Sequence, residues 1–413
     1  MRGESVQGGP TRESGVPGKV SGRIPELDGL RGIAIGIVVV YHYVLLIIQV
    51  PPGSAAAYLL ASGRLAWSGV DLFFVLSGFL IGGILLDARS STNYFRVFYT
   101  RRFFRIVPIY AVFLGAFFSF VLLIRAGKAP SFADVQSNAI PSAAYALFLQ
   151  NFWMVAKNAP GMIGLSATWS LAVEEQFYLT LPSLVRFFDP RRLLSVVLVG
   201  IVSAPVLRVS LRHFWPDNSF SFWALMPCRA DALLFGVLGA ILLRSPLCRN
   251  WLERNHRFLQ VLLFLLACGV GFLTIRFRST RDYLMCAGGF TWLAAFYLCI
   301  ILHALTRERS LLGSLLRTKW LAWLGTIAYG TYLLHLPILL ILSRPFWPRP
   351  METDRFSDLW VSAVALAITL VLCRLSWLYF EKPLLKLGRR SEYTFEPQPS
   401  SSADEPFAIA SKG

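Results

Sequence analysis

Charge is scarce in this sequence. Of its 413 residues, 15% are charged and 55% are hydrophobic, where a soluble domain carries roughly 25% charged and about 45–50% apolar residues. Acid is scarcer still, with 23 Asp and Glu against 40 Lys and Arg. Cysteine is sparse and scattered: Cys228, Cys248, Cys268, Cys286, Cys299 and Cys373 form no C-x-x-C and no paired spacing. That excludes a disulfide framework or a metal site and leaves them as small apolar fillers. No small-residue cleavage site follows the first apolar run, so the run reads as a retained helix and not as a secretion signal. No nucleic-acid recognition module accompanies the net charge of +17. The Lys and Arg residues fall between apolar runs, as charges that orient membrane helices do, and nucleic acid is not an expected partner.

Long apolar runs are what the sequence has in abundance, and mean hydropathy is +0.56. Ten candidate spans can be drawn, at about 33–50, 69–87, 106–125, 168–188, 193–210, 229–243, 258–275, 284–304, 320–342 and 359–380. Each approaches the ~20 residues that cross a bilayer. The expected fold class is therefore an all-α integral membrane protein, a polytopic bundle of about ten transmembrane helices. A partly apolar stretch inside 131–167, AAYALFLQNFWMV, reads as interfacial or re-entrant. Basic residues follow the second, fourth, sixth, eighth and tenth spans, which sets those connections and both termini in the cytoplasm. Arg276, Arg278 and Arg281 sit in an outer loop against that rule. Composition divides the chain into a disordered cytoplasmic tail at 1–22, a membrane domain at 23–387 and a second disordered tail at 388–413.

Polar residues inside the spans carry the chemistry. Ionisable groups in membrane helices normally face a bundle interior or a wet cavity and pair there. In RGIAIGIVVVYHY, Arg31 and His42 are eleven residues apart. That is close to three helical turns, so they share a face about 16 Å apart, with His42 near the bilayer midplane. In TWSLAVEEQFYLTLP, Glu174 lies six residues in from the outer end, at a depth of roughly 9 Å. A histidine oriented by a carboxylate is a ready general base or relay. Asp71, Ser77, Tyr178, Arg229, Asp231, Tyr332 and His335 form a candidate supporting polar pocket, with packing and structural ion pairs as the plainer role for each. On the inner side, Arg101, Arg102 and Arg105 in YTRRFFRIVPIY are three and four residues apart. On a helix they make one cationic face, suited to a polyanion such as the phosphates of coenzyme A.

Seven stretches occur in order over residues 24–385: LDGLRGIAIGIVVVYHY, DLFFVLSGFL, RRFFRIVPIY, WSLAVEEQFY, RADALLFG, GTIAYGTYLLHLP and YFEKP. Together they resemble the type-3 membrane acyltransferases, which O-acylate polysaccharides, lipopolysaccharide and other glycosides. The resemblance implies a bundle of about ten helices, a location in a bacterial inner membrane, an acyl-coenzyme A co-substrate and no bound cofactor. It assigns the family's basic residue and histidine to Arg31 and His42, the functional acid to Glu174 and not Glu175, and the R-x-x-R pair to Arg102 and Arg105. Ala328 departs from the family's frequent serine. Some relatives carry a further hydrolase-like domain, which is not expected in this sequence. The expected reaction moves an acyl group, acetyl by default, from acyl-coenzyme A to a carbohydrate hydroxyl. His42 serves as base or acyl carrier, Glu174 fixes its tautomer, and Arg31, Arg101, Arg102 and Arg105 hold the donor. The rival reading is a proton-coupled transporter with His42 and Glu174 as its relay.

Overall fold

The glycines of two helices decide how the bundle is centred. In the computed structural model, which describes residues 24–396 apart from 52, 277–278, 308–309, 348–352 and 354–355, the run GVDLFFVLSGFLIGGILLD forms one helix, Gly69–Asp87 (α2). It packs along Met226–Arg244 (α6). A Cβ at Gly78 would meet the Leu233 carbonyl, and one at Gly236 would meet the backbone of Val75 and Phe79. Small residues thus let the two backbones touch, which is how helices associate where lipid removes the hydrophobic drive. Helix Pro25–Val40 (α1) makes a similar approach. Gly29 and Gly32 lie against the backbone of Leu316 and Leu321.

The remaining long helices are Tyr94–Arg125 (α3), Trp169–Phe187 (α4), Pro190–Phe214 (α5), His256–Arg276 (α7) and Phe290–Thr306 (α8). Helices Lys319–Thr326 (α9) and Ala328–Ser343 (α10) are joined at Ile327 and bent by 70°. Helix Leu359–Ser376 (α11) runs through a π-helical turn, Trp377–Glu381, into Lys382–Arg389 (α12). Among the described residues there is no strand, only a bridge between Ile48 and Thr353. The protein is an all-helical, multi-pass membrane protein.

Eight helical stretches are long and apolar enough to span, and the bent α9–α10 pair makes nine. The expectation of ten counted two elements differently. The 320–342 run is a broken pair, because Ile327 leaves the helical backbone between two rods. α4 is set apart by three charged residues, Glu174, Glu175 and Arg186, in nineteen. α2 and α4 otherwise keep their sequence-derived limits within one residue. α3 begins twelve residues before the apolar run expected at 106, so Arg101, Arg102 and Arg105 belong to the spanning helix itself.

Burial sorts the helices. The stretch ending in α2 is 72% buried, while α7 is 17% buried. α7 turns Phe258, Val261, Phe264, Leu265, Phe272 and Ile275 outward, as a lipid-facing helix does. α5 is capped by Asp189, which accepts from the backbone N–H of Arg191 and Arg192 at 3.0 Å each. These bonds, that from Arg192 foremost, hold the Asp189 carboxyl below the usual aspartate range.

Residues 131–167 include two short helices, Ser142–Ala146, which packs on α3, and Gln150–Lys157, which packs on α4. Gln150 is fully buried and donates to the Thr168 carbonyl. Asn151 exchanges bonds with Gln176. The N-terminal tail expected at 1–22 lies outside the described residues. The tail expected from 388 begins as structure: α12 reaches Arg389, Thr92 N–H donates to the Thr394 carbonyl at 2.9 Å, and Arg101 Nε donates to the Ser391 carbonyl at 2.9 Å. Residues 397–413 lie outside the described residues.

Candidate active site

α1, α2, α3, α4, the α9–α10 pair and the α11–α12 junction enclose a cavity of about 200 Å³. At one end its wall carries Arg31, Arg102 and Arg105, with Glu381 and Leu385. Ser77, Glu174 and Tyr178 form the middle, and Ser170 with Tyr332 the far end. Three guanidiniums from two helices therefore share one enclosed space. Arg31 is held by Asp28, three residues earlier, at 3.1 Å. Arg102 has a buried Nε with no hydrogen-bond partner, so the arginine end retains donor capacity.

The middle is a directed chain of hydrogen bonds. Tyr178 donates its hydroxyl to Glu174 Oε2 at 3.3 Å. Its oxygen also meets the Ser77 hydroxyl in a short contact. Since tyrosine has one proton to give, Ser77 must donate to Tyr178. At the far end Tyr332 donates to the Ala167 carbonyl at 2.8 Å, and its oxygen lies 2.5 Å from Ser170 Oγ. Phe73 packs edge-on against the Tyr332 ring. This tyrosine closes the cavity.

His42 lies beyond that closure. It does not line the cavity, although the helical period puts it on the face of Arg31. The chain passes from α1 into a π-helical turn, Tyr41–Leu45, at this point, and His335 and Tyr332 stand in a row between His42 and the cavity wall. The Nδ1 of His42 is 2.9 Å from the Val38 carbonyl. A carbonyl only accepts, so Nδ1 carries the proton and Nε2 keeps its lone pair. The backbone, and not Glu174, therefore sets the tautomer of His42. Among the described residues the two side chains share no hydrogen bond.

Across the helix interface His42 meets His335. Their ring centroids are 5.0 Å apart at 63°. His335 is fully buried and lies 5.7 Å from the Tyr332 ring. Its Nδ1 is 2.7 Å from the Tyr332 carbonyl, and its Nε2 is buried without a partner. Tyr43 donates to the His335 carbonyl at 2.8 Å, which ties the π turn to α10. Tyr332, His335 and His42 thus form a contiguous row from the cavity's end.

The other expected members of the polar pocket sit elsewhere. Asp71 pairs with Arg229 in a short contact, and Asp231 pairs with Arg208 at 2.8 Å. All four are buried. The Arg229 guanidinium lies 4.3 Å, and that of Arg208 5.3 Å, from the centroid of Phe290. The four are a structural ion network between α2, α5, α6 and α8, apart from the cavity lining. Arg101 also leaves the site. It bonds Ser391 and lies over the Tyr393 ring at 5.1 Å. Arg208 and Glu381 were not predicted from sequence. Arg208 could have been found as a lone charge in the apolar run VLRVSL. Glu381 stands in the YFEKP stretch and accepts from Ser376 at 3.1 Å.

Comparison with known proteins identifies the family. The acyltransferase-3 family model, described as an acyltransferase domain, matches residues 24–378, and the chain belongs to that family. It is 28% identical over 384 residues to YrhL of Bacillus subtilis, covering 89% of this chain and 56% of that protein. It is 27% identical over 393 residues to the peptidoglycan O-acetyltransferase OatA of Listeria monocytogenes, covering 88% and 56%. It is 25% identical over 394 residues to the O-acetyltransferase OatA of Staphylococcus aureus, covering 92% and 60%. The chain thus spans 56–60% of the length of these relatives. No solved structure matches.

Proposed function

We propose that the protein is a membrane O-acyltransferase that moves an acetyl group from acetyl-coenzyme A to a hydroxyl of a cell-envelope carbohydrate. Peptidoglycan is the acceptor class that the names of the relatives suggest. The observation that carries this reading is the cavity with three arginines at one end and the Tyr332–His335–His42 row at the other. Guanidiniums match phosphate oxygens in charge and in forked geometry. Arg31, Arg102 and Arg105 then hold the pyrophosphate, and the pantetheine arm extends past Ser77 and Tyr178 toward Tyr332.

The reaction joins the acceptor oxygen to the thioester carbonyl carbon and breaks the carbon–sulfur bond. Nε2 of His42 takes the hydroxyl proton, and the proton passes to the leaving thiolate. The alternative in which His42 carries the acyl group uses the same lone pair and returns the imidazole on transfer. Access to Nε2 from the cavity requires Tyr332 to swing aside, which costs its bonds to Ala167 and Ser170.

The test is thiol release and acyl-glycan formation by the purified protein with acetyl-coenzyme A and peptidoglycan fragments. A positioned base contributes about 10²–10⁴-fold. His42→Ala should lose activity by that factor while its elution profile and melting temperature stay those of the wild type. Undiminished turnover in His42→Ala would move the chemistry elsewhere.

A further inference from the structure

A second cavity, of about 510 Å³, opens beside the arginine end of the first. The two share Thr326 and Trp377 in their walls. They are also joined by the Asp28–Arg31 ion pair, since Asp28 lines the second cavity and Arg31 the first. The second is built where four helix ends meet: the start of α1, α9, the last turn of α11 and the start of α12. Its wall holds three cations, Lys319, Arg374 and Lys382, and two indoles, Trp323 and Trp377. Among the described residues none of these three cations is in an ion pair. The single acid in the wall, Asp28, is already committed to Arg31. Charges that merely orient helices need no common cavity, yet these three share one, Lys319 from α9 and Arg374 and Lys382 from the two sides of the π turn between α11 and α12.

Unpaired cations beside aromatic faces are the equipment for a nucleoside phosphate. The cations meet the phosphate, and the indoles offer stacking surface to a base of any identity. We propose that this second cavity binds the adenosine 3′-phosphate end of coenzyme A, with Lys319, Arg374 and Lys382 around the 3′-phosphate and Trp323 and Trp377 beside the adenine. The proposal rests on the acyl-coenzyme A reading above. It divides the donor between two cavities: the nucleotide outside Trp377, the pyrophosphate and pantetheine arm inside it. The same chemistry would suit the phosphate of an anionic lipid headgroup, and the experiment separates the two sources.

The full chain is reconstituted in nanodiscs of zwitterionic lipid. Binding of coenzyme A and of 3′-dephospho-coenzyme A is then measured directly for the wild type, Arg374→Gln and the Lys319→Gln/Lys382→Gln double variant. The wild type should prefer coenzyme A by about tenfold or more, the scale of a charge-assisted bond. The double variant should lose that preference while binding 3′-dephospho-coenzyme A as the wild type does, a result that also certifies its fold. Arg374→Gln should lose part of the preference. A preference that survives in the double variant, or that the wild type lacks, overturns this inference and leaves the proposed reaction standing. No binding of coenzyme A by the wild type overturns both. The measurement is repeated with phosphatidylglycerol added to the nanodiscs. Competition by that lipid, abolished by the substitutions with no change in nucleotide preference, would assign the cavity to a headgroup instead.

Discussion

At the scale of single residues, the site is governed by which atoms can donate. Among the described residues Glu174 depends on Tyr178 for the one hydrogen bond its carboxylate receives, and Tyr178 depends on Ser77 in turn. Tyr178→Phe removes both links at once and leaves Glu174 without that bond in a half-buried setting. Such a loss costs about 1–3 kcal/mol and should lower the melting temperature in detergent. Ser77→Ala should cost less, because Tyr178 still donates to Glu174. Equal losses in the two variants would show that the chain of bonds is not directed as drawn. Sequence reasoning found Ser77, Tyr178 and Glu174 because each is a polar residue where lipid tolerates few. It did not find the partner of His42, because that partner is the Val38 carbonyl, and every residue has a carbonyl. The period also left the arginines ambiguous. Arg105 falls between the directions of Arg101 and Arg102, and only packing decides that Arg102 and Arg105 face the cavity while Arg101 faces Tyr393.

At the scale of elements, the long helices were legible and their interruptions were not. GVDLFFVLSGFLIGGILLD reads as a span and is one. The π turn at Tyr41–Leu45 and the 70° bend at Ile327 leave no comparable mark, since both fall inside apolar runs whose composition suits a straight helix. Both breaks sit beside the candidate site, where irregular backbone is tolerated because protein surrounds it. The glycine contacts between α2 and α6 give a test at this scale. Gly236→Val would drive its side chain into the backbone of Val75 and Phe79. Forcing the helices apart costs about 1–3 kcal/mol or more and should appear as lost monodisperse protein or a lower melting temperature. Gly271→Ala, on lipid-facing α7 with nothing within 4 Å of its Cβ, should leave both unchanged.

At the scale of the whole molecule, the buried charges divide into two systems. One is the cavity, with its arginines in excess. The other is the Asp71–Arg229 and Asp231–Arg208 network, balanced within itself. Removing one member of a buried pair strands the other charge and costs about 3–5 kcal/mol. Asp231→Ala should therefore destabilise the protein strongly, and Asp231→Leu combined with Arg208→Met should recover much of the loss in thermal unfolding. No recovery would mean that the hydrogen bonds of Arg208 to Cys286 and Cys228 matter more than its charge. The hydroxyl contact between Ser170 and Tyr332 has a consequence at this scale too. A passage continuous from the arginine cavity to His42 would be a wet, charged path through an insulating sheet, and a cell that stores energy as a voltage could not carry many of them. One tyrosine, held by one serine and one carbonyl, keeps that path interrupted. On the proposed reaction, a protein of this build must open for catalysis and still behave as an insulator for the rest of the time.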